Sequence, residues 1–166
     1  WQYDAVYDYY QDDQDMTAVD AGGNLEFNFY VKNKYDQIFK RLWNNNGASS
    51  TEEPYFEPGT YNNNNIFQSV DGYKWKYMYT VDLGLKVKFM DDNWIPVPIG
   101  DNTPNPLQTS AGAGSLDVIN VINTGSGYDT ANAFVTIQID GDGTGATASA
   151  NVTNGQVVDV IVTSPG

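Results

Sequence analysis

The chain has 166 residues, room for one domain or two small ones. Its 8 Lys and Arg against 21 Asp and Glu leave a formal net charge of −13, a surface that repels phosphate backbones and anionic lipid and so argues against nucleic-acid or membrane partners. Histidine and cysteine are both absent, which removes Ser-His-Asp and Cys-His catalysis, ordinary zinc sites and disulfides together.

The aromatic fraction is 14%, led by 12 Tyr, a residue suited to half-exposed sheets and protein interfaces. Sixteen Gly and a dense set of Asn predict many turns and little helix. No apolar run approaches the ~20 residues of a membrane helix, and no signal peptide is visible. Beginning at Trp1 and stopping at Ser164-Pro165-Gly166, the chain reads as an internal piece of a longer polypeptide.

Residues 1 to about 23 are rich in Tyr and Asp and have no clean period. They predict an irregular arm lying on a sheet, charged in its middle at Asp12, Asp13 and Asp15 and closed by a Gly22-Gly23 turn. Leu25, Phe27, Phe29 and Val31 alternate with Glu26, Asn28, Tyr30 and Lys32, which predicts a strand. Asn33-Lys34 is a turn. Ile38 to Trp43 has an ambiguous period, but its shortness and the bounding Asn44, Asn45, Asn46 and Gly47 favour a strand over a helix.

Residues 44–70 then read as a long loop, and such loops are usually functional or interface-forming. Asn44, Asn45 and Asn46 are therefore interface candidates, with polar turn chemistry as the competing reading. Asp71-Gly72 opens the clearest strand in the chain. Tyr73, Trp75, Tyr77, Tyr79 and Val81 fall on one face; Lys74, Lys76, Met78 and Thr80 fall on the other.

The aromatic face of Tyr73, Trp75, Tyr77 and Tyr79 is either core packing between sheets or a sugar-stacking platform, and Trp75, Tyr77 and Tyr79 are protein-interface candidates. Lys74 and Lys76 are candidates for docking an acidic surface, against simple solubility of an exposed face. Leu85 to Met90 alternates and predicts another strand, Asp91 to Asn93 a turn, and Trp94 to Pro98 an edge or terminal strand, since each proline lacks an amide donor. Residues 1–99 form one aromatic-rich β domain in this reading.

Residues 100–115 read as a linker. Beyond it, aromatics nearly vanish and a β-hairpin repeat module spans 116–166. Strands are expected around Ile119 to Val121, Val135 to Ile139, Ala146 to Val152 and Val158 to Val162, with Asn154-Gly155 a type I′ hairpin turn. VINVINTGSGY and VVDVIVTSPG echo each other at a period of roughly 40 residues. The expected fold class is all-β: an antiparallel β-sandwich-like domain with long loops, then a small β-rich repeat module.

Catalytic and cofactor signatures are lacking. The neighbouring acids Glu52-Glu53 and Asp91-Asp92 point to opposite faces of a strand or into solvent from a loop, so no catalytic residue is assigned. Asp140 and Asp142, in an Asp-Gly-Asp-Gly-Thr-Gly stretch, are the candidate metal ligands; no bidentate Glu completes a calcium loop, and plain turn chemistry is the competing reading, so no cofactor or metal is assigned.

Four stretches occur in order: WQYDAVYDYYQDD, IFKRLWNNNGASSTEEP, DGYKWKYMYTV and KFMDDNWIPV. Together they resemble the baseplate wedge protein of contractile-tailed, T-even-like phages, of the gene product 8 type. The matching positions are Lys40, Leu42, Asn44, Asn45, Asn46, Gly47, Ser50, Thr51 and Pro54, then Asp71, Gly72, Tyr73, Trp75, Lys76, Tyr77, Met78 and Tyr79. The segment from about 116 is similar to Gly-Ser-Gly-Tyr β-repeats of phage structural proteins.

The resemblance implies a non-enzymatic, mainly β scaffold of the virion that forms homodimers and meets other wedge proteins in the tail baseplate. A carbohydrate-binding module and a calcium-dependent β-repeat adhesin are the alternatives.

Overall fold

The computed structural model describes residues 1–60, 65–92, 94–98, 114–128, 135 and 137–166. It divides into two compact units, Trp1–Thr109 and Ser110–Gly166. The all-β expectation holds: both sheets are antiparallel, and a single short helix is found among the described residues.

The first unit is built on a four-stranded sheet in the order β1-β2-β4-β3. Its strands are β1 (Tyr30–Lys32), β2 (Gln37–Trp43), β3 (Ile66–Gln68) and β4 (Lys74–Thr80). Gln37–Trp43 resolves the ambiguous period as a strand because β1 and β4 flank it on both sides, burying most of its residues. Val31 pairs with Phe39, and Phe39 with Tyr77, so an apolar row crosses the sheet. Around it, Val31, Phe39, Phe56, Tyr73 and Trp75 form the core, with Trp1, Tyr7, Phe67 and Tyr77 packed against them. Each such aromatic contributes roughly 1.5–3 kcal/mol by leaving water.

The arm and the loop around Phe56 supply the covering layer. The Trp1 ammonium donates to Lys32 O (2.7 Å), and Trp1 Nε1 donates to Ser50 Oγ (2.9 Å). Asp4 N donates to Ser50 O and Ser50 N to Ala5 O, both 2.8 Å. The loop is locked by buried amides: Asn33 Nδ2 donates to Pro54 O (2.9 Å) and Gln37 Nε2 to Phe56 O (2.8 Å).

Several elements differ from the reading of the sequence. The strand expected from Leu25 is regular only at Tyr30–Lys32. Before that point the backbone donors turn to the arm, Glu26 N to Ala18 O and Asn28 N to Asp8 Oδ2, and Leu25 is 53% exposed beside Val19. The long loop contains β3. Residues Leu83–Phe89 form helix α1 where a strand was expected. Asp82 explains this: its carboxylate accepts from Gly84 N (2.8 Å) as an N-cap, and its carbonyl accepts from Lys86 N (2.8 Å).

Trp94–Pro98 forms no strand; Asp91 Oδ1 caps the preceding turn through Trp94 N (2.8 Å). Most of the expected linker, residues 61–64 within the Asn-rich run, and positions 93 and 136 lie outside the described residues.

In the second unit β5 (Ala146–Thr153) and β6 (Gln156–Pro165) form the expected hairpin. Asn154 (φ 52°) and Gly155 (φ 75°) have the left-handed backbone of a type I′ turn. Ala146, Ala148, Ala150 and Val152 share the half-buried face of β5. A register shift opposite Asn151/Val152 moves Val158 to the outside, so Val157, Val160 and Val162 are the inward residues of β6. The expected Ile119–Val121 strand is reduced to one bridge, Ile119 with Val160, and the described residues of Val135 to Ile139 form no strand.

Candidate functional site

The two stretches IFKRLWNNNG and DGYKWKYMYT become β2 and β4, hydrogen-bonded neighbours whose following and preceding turns also meet. Asn45, Asn46 and Gly47 form a short 3₁₀ turn with left-handed dihedrals (φ 50°, 57° and 78°), a conformation Asn and Gly tolerate better than other residues. Asn44 Oδ1 accepts from Gly47 N (3.2 Å) while its Nδ2 donates to Tyr7 O (3.0 Å), so one side chain holds both the turn and the arm. Asn45 Nδ2 donates to Asp71 O (3.1 Å). Asn46 is exposed.

Asp71 is the hub of this corner. Its Oδ2 accepts from Ser50 Oγ (3.1 Å), Thr51 N (2.8 Å) and Glu52 N (3.0 Å), and its Oδ1 accepts from Ser69 Oγ. Burial pushes this carboxyl up, but the bonds from Ser69, Glu52, Thr51 and Tyr73 outweigh it and hold Asp71 below the usual carboxylate range. Gly72 (φ 85°) follows because a Cβ there would sit 2.8 Å from the Asn45 amide.

Arg41 is the feature that sequence reasoning missed. It is fully buried, and its Nε, Nη1 and Nη2 have no hydrogen-bond partner among the described residues. Aromatic faces take their place: the guanidinium lies 4.3 Å from the Tyr7 ring and 5.7 Å from Trp75, which itself stacks on Tyr73. Burial pushes its pKa down to about 10, with Tyr7, Asp8 and Tyr73 acting the other way. A cation inside the apolar run IFKRLW was the available signal.

The remaining interface candidates separate. Trp75 is in the core and Tyr77 packs on it, stacked on Phe56 at 4.1 Å between ring centroids. Tyr79 leaves that face: Ile38 pairs with Tyr79 while the adjacent Phe39 pairs with Tyr77, so the register shift between them turns Tyr79 to the other side. There its hydroxyl donates to Pro96 O (3.0 Å). Lys74 is buried and Lys76 half-buried, which makes neither part of an open strip. Lys76 lies across from Lys40, whose Nζ sits 3.4 Å from the Tyr10 ring centroid.

Two other groups of aromatics contribute exposed rings to the first unit. Tyr10, Phe29 and Tyr30 cluster beside Lys40, with neighbouring ring centroids 5.7 and 4.6 Å apart. Tyr35 and Tyr55 meet edge to face at 5.2 Å beside the Lys34–Glu53 ion pair (3.1 Å). Exposed Tyr10, Tyr30, Tyr35 and Tyr55 are of the residue type that favours contact with another molecule. Asp140 and Asp142 join no group of acids able to hold a metal among the described residues, and Asp140 Oδ1 accepts from Gln138 Nε2 (2.8 Å).

No protein-family model, curated protein or solved structure matches the chain.

Proposed function

We propose that the chain is a structural part of a phage tail baseplate wedge, assembling with itself and with other wedge proteins in the virion, and performing no catalysis. One observation carries the reading. The separated stretches that resemble the wedge family fold into one unit, β2 and β4 with their Asn44–Gly47 and Asp71-Gly72 corners bonded to each other. Residues spent on such a corner specify a rigid scaffold, and the exposed clusters around Tyr10 and Tyr35 offer it contact surfaces.

Immunogold labelling of contractile-tailed virions encoding this chain tests the proposal. Labels at the baseplate are the expected result; labels on free protein alone would refute it. The Tyr35–Tyr55 pair beside Glu53 favours a second reading, carbohydrate binding by an exposed aromatic platform. A glycan array with Tyr35→Ala and Tyr55→Ala as controls separates the two.

A further inference from the structure

The sequence holds two Asn-Gly pairs, Asn46-Gly47 and Asn154-Gly155. Such a pair is able to modify itself. The glycine nitrogen attacks the side-chain carbonyl of the asparagine, and a glycine has no Cβ to obstruct the approach. Both asparagines are exposed and both are left-handed (φ 57° and 52°). The fold separates the two pairs at the attacking atom.

Gly47 N is engaged twice, donating to Asn44 O (3.1 Å) and to Asn44 Oδ1 (3.2 Å). Its turn is tied down as well, since Asn44 Nδ2 donates to Tyr7 O (3.0 Å) and Asn45 Nδ2 to Asp71 O (3.1 Å). Attack on Asn46 means breaking the bonds of Gly47 N and turning a pinned corner. Gly155 N and the Asn154 side chain have no hydrogen-bond partner among the described residues. The bonds that steady this turn lie beside the reacting atoms: Thr153 pairs with Gln156, Tyr128 N donates to Gly155 O (3.1 Å), and Gln156 Nε2 donates to Gly125 O (3.3 Å).

We propose that Asn154 is a site of spontaneous deamidation and that the fold protects Asn46. Ring closure needs Asn154 to rotate out of its left-handed conformation, an opening confined to the turn end of a two-stranded sheet. Gly155 N loses its proton and bonds to the Asn154 side-chain carbon. The bond from that carbon to the amide nitrogen breaks, and ammonia leaves with the proton. Water then opens the succinimide at either carbonyl, giving aspartate or isoaspartate.

The two products differ in consequence. Aspartate keeps the hairpin, because Asp-Gly also forms a type I′ turn. Isoaspartate routes the main chain through the former side chain and so lengthens a two-residue loop that sets the strand register. Thr153 then no longer faces Gln156. Gly155 O and Val157 N shift with it, and they hold Tyr128 N (3.1 Å) and Thr124 O (3.0 Å). Isoaspartate at 154 therefore loosens the 124–128 turn along with the hairpin end. The site lies in the second unit and does not depend on the baseplate reading.

Full-length chain is aged in mildly alkaline buffer, where hydroxide helps to remove the glycine proton, and digested with trypsin. No Lys or Arg follows Lys88, so Asn154 falls in fragment 89–166 and Asn46 in fragment 42–74. Fragment masses and their fragmentation spectra follow the amide-to-acid mass gain at each position. Conversion at Asn154 about tenfold faster than at Asn46 is expected in the folded chain, the difference that holding Gly47 N makes. In denaturing urea the two rates should converge. The isoaspartate fraction should show faster amide exchange at Tyr128 and Val157, while Asn154→Asp exchanges there like wild type. Asn46 converting as fast as Asn154 in the folded chain, a rate ratio that survives in urea, or an Asn154 that converts only in urea would overturn the proposal.

Discussion

Replacing Arg41 by methionine should make the first unit more stable. The guanidinium is fully buried, its nitrogens lack hydrogen-bond partners among the described residues, and burial pushes its pKa down to about 10. A fall of that size means that keeping the charge inside costs roughly 3 kcal/mol. The Tyr7 and Trp75 faces return about 1–2 kcal/mol by cation–π attraction. Methionine removes both terms and fills most of the same space with a flexible apolar side chain. The net expectation is a gain of about 1–2 kcal/mol at neutral pH, a rise of several degrees in melting temperature.

Urea unfolding followed by tryptophan fluorescence measures it, since Trp75 lies beside the site. Arg41→Ala serves as control: it also removes the charge but leaves a cavity, and should lose roughly 2–4 kcal/mol. A loss of more than about 1 kcal/mol for Arg41→Met at unchanged m-value would refute the reasoning. It would mean that the cation is satisfied by more than aromatic faces.

Three further outcomes follow from the corner and the helix. Asp71→Asn should cost roughly 1–3 kcal/mol at pH 7, because Thr51 N and Glu52 N lose a charged acceptor. The folded pKa of Asp71 is depressed, so its contribution is full above the ordinary carboxyl value and fades as pH falls through the folded one; urea titrations of wild type and variant should converge in acid. Gly72→Ala should destabilise more than Gly59→Ala: both have φ near +85° (85° and 86°), but only the Gly72 Cβ would strike Asn45, at 2.8 Å. Thermal melts of the two variants compare them directly. Asp82→Ala should cost about 1 kcal/mol and speed amide exchange across Leu83–Phe89, through loss of the N-cap.

Local chemistry made the antiparallel β class legible. The strand signal in 73–81, the bounding turns of Ile38–Trp43 and the Asn154-Gly155 hairpin are decided within a few residues, and the fold keeps each as a strand or a turn. Where one short signal fits two periods, neighbours decide. Leu85 to Met90 alternates like a strand, yet Asp82 caps Leu83–Phe89 as a helix and Lys86 then reaches Asp36 at 2.7 Å. The candidate site was legible in residue type and hidden in direction. A register shift sends Tyr79 away from Tyr77, and the side-chain amides of Asn44 and Asn45 are taken up by Tyr7 O and Asp71 O.

By itself the sequence determined which segments could be strands and turns, since φ/ψ preference and side-chain period act over a handful of residues. It also set the exclusions: without histidine or cysteine, whole families of chemistry have no atoms to use. Only the tertiary structure decided that Arg41 would be enclosed by Tyr7 and Trp75, that Asp71 would gather donors from residues 50–52 and 69, and that Leu116 and Val157 would donate to Pro165 O and Thr124 O. Those contacts join residues far apart along the chain. Their energies depend on which groups share a dry interior and which register the strands adopt, and neither quantity is local.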